Sequence, residues 1–416
     1  MKSKEKTIYV YAHGSEVPEL MGVLYARPSR NKEIFSFEYD KNWLKNKHDL
    51  QLDPNLSFYG GEQHPQNHHI NFGIFLDSSP DRWGRVLMQR RESQLAKEEG
   101  RSVKNLLESD YLLGVYDENR SGALRFKLDP EGEFLDSNRS VSSPPWTQLR
   151  DLEYASLKLE EDESVDDNRW IKLLIAPGSS LGGARPKANV MDEDGNLWIA
   201  KFPSASDDLN IGAWEFLVNQ LAIKAKINTS EAQLKKFSSK HNTFLVKRFD
   251  RKKKQRIHFA SAMTMLNRID GENNSSYLDI VDFLLRNGSR VNKDLEELWR
   301  RIIFNICISN TDDHLRNHGF ILEDKGWTLA PAYDLNPSET GNGLSLNISE
   351  TDNSQSLELA LEVRDHFRLS EEQANKIIKE VTKAVSTWRK LAEKSFSKTE
   401  ISRMENAFRH AESVAI

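Results

Sequence analysis

Residues 305–337, NICISNTDDHLRNHGFILEDKGWTLAPAYDLNP, constrain this chain more than any other stretch. Apolar runs at 306–308 and 319–322 must be packed. Between them Asp312, Asp313, His314, Arg316, Asn317 and His318 crowd into seven residues. Asp312 is followed five positions on by Asn317, and Asp334 lies beyond a second apolar segment. Phosphoryl transfer asks for such a set: one carboxylate to orient a hydroxyl, an Asn to hold a metal, and a later Asp to grip the metal on the ATP phosphates. Gly319-Phe320-Ile321-Leu322, a turn at Asp324-Lys325-Gly326, and Trp327-Thr328-Leu329 predict a β-hairpin leading to that Asp. The competing reading is a turn-rich loop whose Asp and Asn side chains bond their own backbone. His314 and His318 are four apart but bring neither a cysteine nor the other ligands of a zinc site, and the same holds for His64, His68 and His69.

At 416 residues, 38% hydrophobic and 29% charged with a net charge of -5, the chain is long enough for two or three domains or lobes. Its charge balance gives no reason to expect direct, sequence-specific DNA reading. The basic run 247–256 reads as a solvated turn between strands. Cys307 is the lone cysteine, within an apolar run, which predicts a core residue and a reducing compartment. The charged start (Met1 to Lys6) leads to a short strand and not an apolar segment, so no signal peptide is expected, and no run approaches a membrane span. A cytoplasmic protein follows as the expectation.

Short β-rich runs are expected at 8–11, 21–25 and 33–38. Residues 74–115 turn helical, with Asp81-Arg82-Trp83-Gly84-Arg85 opening a helix. Residues 127–168 are polar and Pro/Ser-rich and read as an irregular connection. Beyond them come a hairpin at 188–202, a helix at 211–225, and strands at 233–237 and 243–249. From 277 the chain reads mainly helical. Ser370-Glu371-Glu372-Gln373 is a capping box ahead of the stripe Ala374, Ile377, Ile378, Val381, Val385 and Trp388, and Ser397-Lys398-Thr399-Glu400 is a second box.

A nucleotide cradle is sought upstream of the catalytic loop. The segment GSSLGGARPK, 178–187, is the candidate, because glycines let backbone N–H groups approach phosphate oxygens. It is not a Walker A loop: Ala184 stands where that motif needs Lys, and a hairpin follows instead of a helix. Lys201 ends the hairpin's second strand, and Glu215 lies fourteen residues on, on the next helix, as the strand lysine and helix glutamate of a kinase ion pair would. The strand 245–249, with Lys247 and Phe249, is placed to offer backbone groups to an adenine ring.

These motifs, together with Ser79-Pro80-Asp81-Arg82-Trp83-Gly84-Arg85, Val246-Lys247-Arg248-Phe249-Asp250-Arg251 and Pro331-Ala332-Tyr333-Asp334-Leu335, resemble the HipA family of bacterial serine/threonine kinase toxins over nearly the whole chain. The resemblance implies an α+β, bilobal kinase-like fold: a mixed α/β N-terminal lobe and an all-helical C-terminal lobe. The corresponding parts are a HipA-type N-terminal module (1–126), the connection (127–168), the nucleotide-binding part of the N-lobe (169–265) and the catalytic lobe (266–416). It implies Asp312 as catalytic base and Asn317 and Asp334 as ligands of Mg2+. ATP contacts are implied for Ser180, Leu181, Gly182, Gly183, Ala184, Lys187, Lys201, Lys247, Phe249 and His314. Ser180, or the adjacent Ser179, would be autophosphorylated, and about two negative charges in the cradle would then repel ATP. A protein substrate such as an aminoacyl-tRNA synthetase and a helix-turn-helix, DNA-binding antitoxin would be its partners. Lys247 departs from the glutamate found in some members. Two other readings are a small-molecule phosphotransferase and a non-catalytic partner of a helix-turn-helix repressor.

Overall fold

The computed structural model describes residues 5–12, 17–30, 32–46, 51–66, 68–135, 143–161, 173–174, 183–253, 255–272 and 274–412. The chain forms two compact units, Met1–Asp207 with Lys236–Ala260, and Asp208–Lys235 with Ser261–Ile416.

In the first unit, β1 (Lys6–Ala12), β2 (Glu19–Ser29) and β3 (Lys32–Tyr39) precede a long helix, α1 (Arg82–Glu98), and β4 (Leu124–Lys127). The strands form an antiparallel sheet in the order β3-β2-β1-β4. Ile8 and Val10 of β1, Leu24 and Ala26 of β2, and Phe35 and Phe37 of β3 are buried. The period of two lays these side chains on one face, which is what holds the register. Phe37 anchors an aromatic cluster with Tyr39, Phe72 and Phe75, at ring centroids 5.0–6.4 Å apart. Gly22 pairs with Tyr39 at close range; a Cβ there would run into the Glu38 carbonyl and the Phe37 ring, so only glycine fits.

The same unit holds a second antiparallel sheet. A helix, α2 (Leu149–Glu161), precedes β5 (Lys187–Met191), β6 (Leu197–Lys201) and β7 (Thr243–Lys247), which pair in that order. Trp83 and Leu87 of α1, Leu149, Leu152, Ala155 and Leu159 of α2, and Ala188, Val190, Trp198, Ala200 and Leu245 of the strands form one core. The expectation of an irregular connection over 127–168 is corrected by α2. Its apolar residues do recur at helical spacing, but Ser142-Ser143-Pro144-Pro145 just before them and the charges among them obscured the pattern.

The basic run 247–256 is also corrected. Arg248 and Arg256 are buried, not solvated. Arg248 makes a fork on Asp250, at 2.9 and 2.6 Å, and reaches the Asn119 carbonyl and Asn189 Oδ1, both at 2.8 Å. Arg256 donates to Asp117 at 2.8 Å, and Arg125 forks onto the same carboxylate. Burial alone would raise the Asp250 carboxyl; Arg248 and Arg251 outweigh it and hold it well below the usual range. Charge density in a sequence does not distinguish a solvated face from guanidinium groups buried against carboxylates and backbone carbonyls.

The second unit contains α3 (Ile211–Lys224), the short strand Ala232–Lys235, α4 (Tyr277–Asn287) and α5 (Val291–Cys307). A hairpin of β8 (Gly319–Glu323) and β9 (Gly326–Leu329) follows, then α6 (Glu371–Val385), α7 (Trp388–Ala392) and α8 (Lys398–Met404). The expected all-helical C-terminal lobe is therefore corrected: the hairpin foreseen at 319–329 is an integral part of it. Ile302, Ile303, Phe304 and Ile306 of α5 are fully buried, and α5 packs on α6. Trp388 does not continue the α6 stripe. That helix ends at Val385, and Trp388 opens α7, where it stacks on Phe408 at 4.3 Å. Among the described residues no helix is long and apolar enough to cross a membrane.

Candidate active site

The segment carrying Asp312 and Asn317 leaves the end of α5. Ser309 adopts φ +48, a left-handed conformation that stops the helix, and the Asn310 N–H caps it on the Asn305 carbonyl at 2.9 Å. Asp312 is exposed, and among the described residues its carboxylate accepts no hydrogen bond, which leaves it open to solvent. Its backbone carbonyl accepts from the His314 N–H at 3.0 Å and from Asn317 Nδ2 at 2.9 Å. That last bond uses one amide hydrogen of the buried Asn317 and orients its side chain, whose Oδ1 is the atom that could ligate a cation. His314 is half-buried at the start of a short 3-10 turn, Leu315–Asn317, and its Nδ1 is buried without a hydrogen bond.

Asp334 is reached through β8 and β9. The Leu329 N–H donates to Asp294 Oδ2 at 3.2 Å and Arg301 donates to the Ala330 carbonyl at 2.8 Å, so α5 fixes the exit of the hairpin. The Tyr333 hydroxyl then donates to the Arg316 carbonyl at 2.7 Å. Asp334 follows Tyr333 and Asn317 follows Arg316 in the chain, so this bond ties the segment carrying one expected magnesium ligand to the segment carrying the other. Asp334 has φ +57, an uncommon conformation for a residue with a side chain, held by this scaffold. Asn336 Nδ2 donates to its Oδ1 at 3.2 Å. An amide oxygen and a carboxylate fit Mg2+, which takes one or two protein oxygens and completes its shell with phosphate and water. Among the described residues no three His, Cys, Asp or Glu side chains gather into a metal cage.

Behind the loop lies a network that sequence reading did not foresee. The buried Asp313 accepts on Oδ2 from Tyr277 Oη at 2.6 Å and Asn305 Nδ2 at 2.7 Å, and pairs with His318 Nε2 at 2.8 Å. Burial would raise the Asp313 carboxyl, but His318 and Tyr277 outweigh it and hold it below its ordinary range. Asp313 and His318 were visible in the polar crowd; Tyr277 and Asn305, from two separate helices, carried no signal.

The first unit holds all but one of the other expected residues. Ser179, Ser180, Leu181 and Gly182, with Gly178, lie outside the described residues. Gly183, at φ +86, and Ala184 are exposed. Lys187 and Lys201 are register partners on β5 and β6 and so share one face of the sheet. Lys187 is 1% exposed, and its Nζ pairs with Asp81 at 2.6 Å and donates to the Gly183 carbonyl at 3.2 Å. Asp81 also caps α1 through the Gly84 N–H at 2.9 Å, and Trp83 Nε1 donates to the Lys187 carbonyl at 3.1 Å. The Asp81-Arg82-Trp83-Gly84 motif thus both starts a helix and clamps the residue that closes the glycine-rich segment. Lys201 is half-buried, 5.9 Å from the Phe244 ring. Lys247 Nζ lies 5.8 Å from the Trp198 ring, and Phe249 meets Phe259 at 5.7 Å. Glu215 is buried on α3, in the second unit.

Residues 179–388 match the family model described as HipA-like C-terminal domain. A candidate kinase of Haemophilus influenzae is 29% identical over 180 residues, covering 38% of this chain and 52% of that protein. A second candidate kinase, from Sinorhizobium fredii, is 29% identical over 182 residues, covering 38% and 41%. The chain thus spans about half the length of these relatives or less. In fold it is similar to HipA of Shewanella oneidensis, solved with HipB and operator DNA: TM-score 0.63 at 16% identity, over 97% of this chain and 95% of that one.

Proposed function

The chain belongs to the family of the HipA-like C-terminal domain, and from that premise we propose that it is an ATP-dependent serine/threonine protein kinase. The observation that carries this reading is the loop geometry. An exposed Asp312 carboxylate shares one hydrogen-bonded turn with Asn317, and the Tyr333–Arg316 bond ties the segment of Asp334 to that turn. Asp312 accepts the proton of a substrate hydroxyl. The hydroxyl oxygen bonds to the γ-phosphorus as the bond to the bridging oxygen breaks, leaving ADP. Asn317 and Asp334 hold Mg2+, which when bound neutralises charge on the phosphate oxygens. Lys201 contacts the phosphates. The 178–187 segment is the phosphate cradle, with Lys187 holding its end through Asp81, while His314 contributes a further nucleotide contact and the backbone at Lys247 and Phe249 meets the adenine. Ser180, with Ser179 as alternative, is the site of self-phosphorylation that silences the enzyme.

The candidate-kinase relatives support phosphotransfer, and the HipB and operator DNA solved with the Shewanella protein support a DNA-binding antitoxin as partner. Within that reading the chain is a toxin that phosphorylates a translation component such as an aminoacyl-tRNA synthetase. Phosphoproteomics after brief expression, comparing wild type with Asp312→Asn, tests the substrate class. One dominant new phosphoserine or phosphothreonine on a cellular protein is expected. Phosphorylation of a sugar or amine with no labelled protein would replace the reading with a small-molecule phosphotransferase.

A further inference from the structure

We propose that Asp313 is the positioning residue of the catalytic loop, a buried carboxylate that ties both ends of the 312–317 segment to the helices behind it and so fixes the Asp312–Asn317 geometry. Asp313 immediately follows Asp312, and its partner His318 immediately follows Asn317. One hydrogen bond between these two neighbours therefore closes the loop across its whole length. The other two donors are rooted in rigid elements. Tyr277 is the first residue of α4, whose cap Ser276 forms a two-way box with Asp279, and Asn305 lies in the last turn of α5. Asn305 also accepts from Asn310 Nδ2 at 3.2 Å, so the entry to the loop is held by the same side chain that holds Asp313. The exit is held too, since the His318 carbonyl accepts from the Ala262 N–H at 2.8 Å.

Burial decides what this network can do. Asp313, His318, Tyr277 and Asn305 are all at most 2% exposed, so none of them reaches a substrate. Their influence passes through Asp312 and Asn317. A carboxylate suits the post because it is an acceptor only and can take three donors on one oxygen; charge-assisted bonds of this kind are about twice as strong as neutral ones. An amide at the same place presents an NH2 group to a site already filled with donors. Groups behind a metal site commonly change affinity or activity by about 10–100-fold when altered.

This inference rests on the roles given to Asp312 and Asn317 above, and its test separates the two. Full-length wild type, Asp313→Asn, Tyr277→Phe and Asp312→Asn are compared. Amide hydrogen exchange over 309–320 reads the loop directly, without any ligand. Binding of Mn2+ with a non-hydrolysable ATP analogue reads the metal geometry, and kcat is separated from the KM for ATP. In Asp313→Asn, exchange over 311–318 rises about tenfold while α4 and α5 are unchanged, Mn2+ half-saturation rises about tenfold, and kcat falls about 30-fold with the KM for ATP within threefold. Tyr277→Phe, which removes one hydroxyl, shows the same changes at smaller size and decides the matter if Asp313→Asn does not fold. Unchanged loop exchange and Mn2+ binding in the folded variants overturn the anchor while wild-type activity upholds the kinase. Wild type that neither binds nucleotide nor transfers phosphate defeats the kinase reading, and with it the role of Asp313 in catalysis.

Discussion

Asp294 and Cys307 sit on the same helix, and burial acts on each in a measurable way. Burial pushes the Asp294 carboxyl up to about 6, against the pull of the Leu329 N–H and Arg301. The folded protein therefore holds this proton more tightly than the unfolded chain between about pH 4 and pH 6. Its contribution to stability is present below that window and is lost as the pH rises through it. Denaturation midpoints measured from pH 4 to 7 should decline more steeply for wild type than for Asp294→Asn; parallel curves would refute the assignment. Burial likewise pushes the Cys307 thiol up to about 12, so native protein should resist alkylation and react only on unfolding. At this scale the sequence marks candidates by residue type and spacing, as at Asp312, Asn317 and Asp334. It was unreadable where folding recruits partners from afar, as Tyr277 and Asn305 are recruited to Asp313.

Among the elements, helix caps were the most legible signals, and the two C-terminal capping boxes show their limit. Ser370 and Gln373 close theirs in both directions, at 3.2 and 2.9 Å. Ser397 accepts from the Glu400 N–H at 3.2 Å, but the Glu400 side chain does not return the bond. It is diverted to the Asn210 N–H at 2.9 Å and to Trp214 Nε1 at 3.1 Å, because α3 packs against this end of the second unit. Trp214 is 1% exposed and stacks on Phe396 at 4.0 Å. Ser370→Ala should cost about 1 kcal/mol in a denaturant titration. Glu400→Ala should cost about 1–3 kcal/mol, because it also leaves a buried indole N–H unpaired. Equal, small losses would show that Glu400 acts only as a cap. Helix α2 was missed for the opposite reason: its apolar stripe was genuine, but composition across the wider window outweighed it.

On the scale of the whole molecule, the residues assigned to one reaction are distributed over two compact units. Lys187 and Lys201 belong to the first, and Asp312, Asn317 and Asp334 to the second. In the first unit the Asp81–Lys187 pair joins α1 to the strand after the glycine-rich segment. Asp81→Asn should cost about 3–5 kcal/mol, since it removes the charged partner of a buried lysine, and it should be read as unfolding and not as lost catalysis. Phosphate transfer is the reaction proposed for these residues. The most direct test is incorporation of the γ-phosphate of radiolabelled ATP, with Mg2+, into the purified chain and into added lysate protein, wild type against Asp312→Asn at equal folded concentration. The account predicts labelled serine or threonine with wild type and a loss of about 10²–10⁴-fold in the variant. A variant that labels as well as wild type would contradict it.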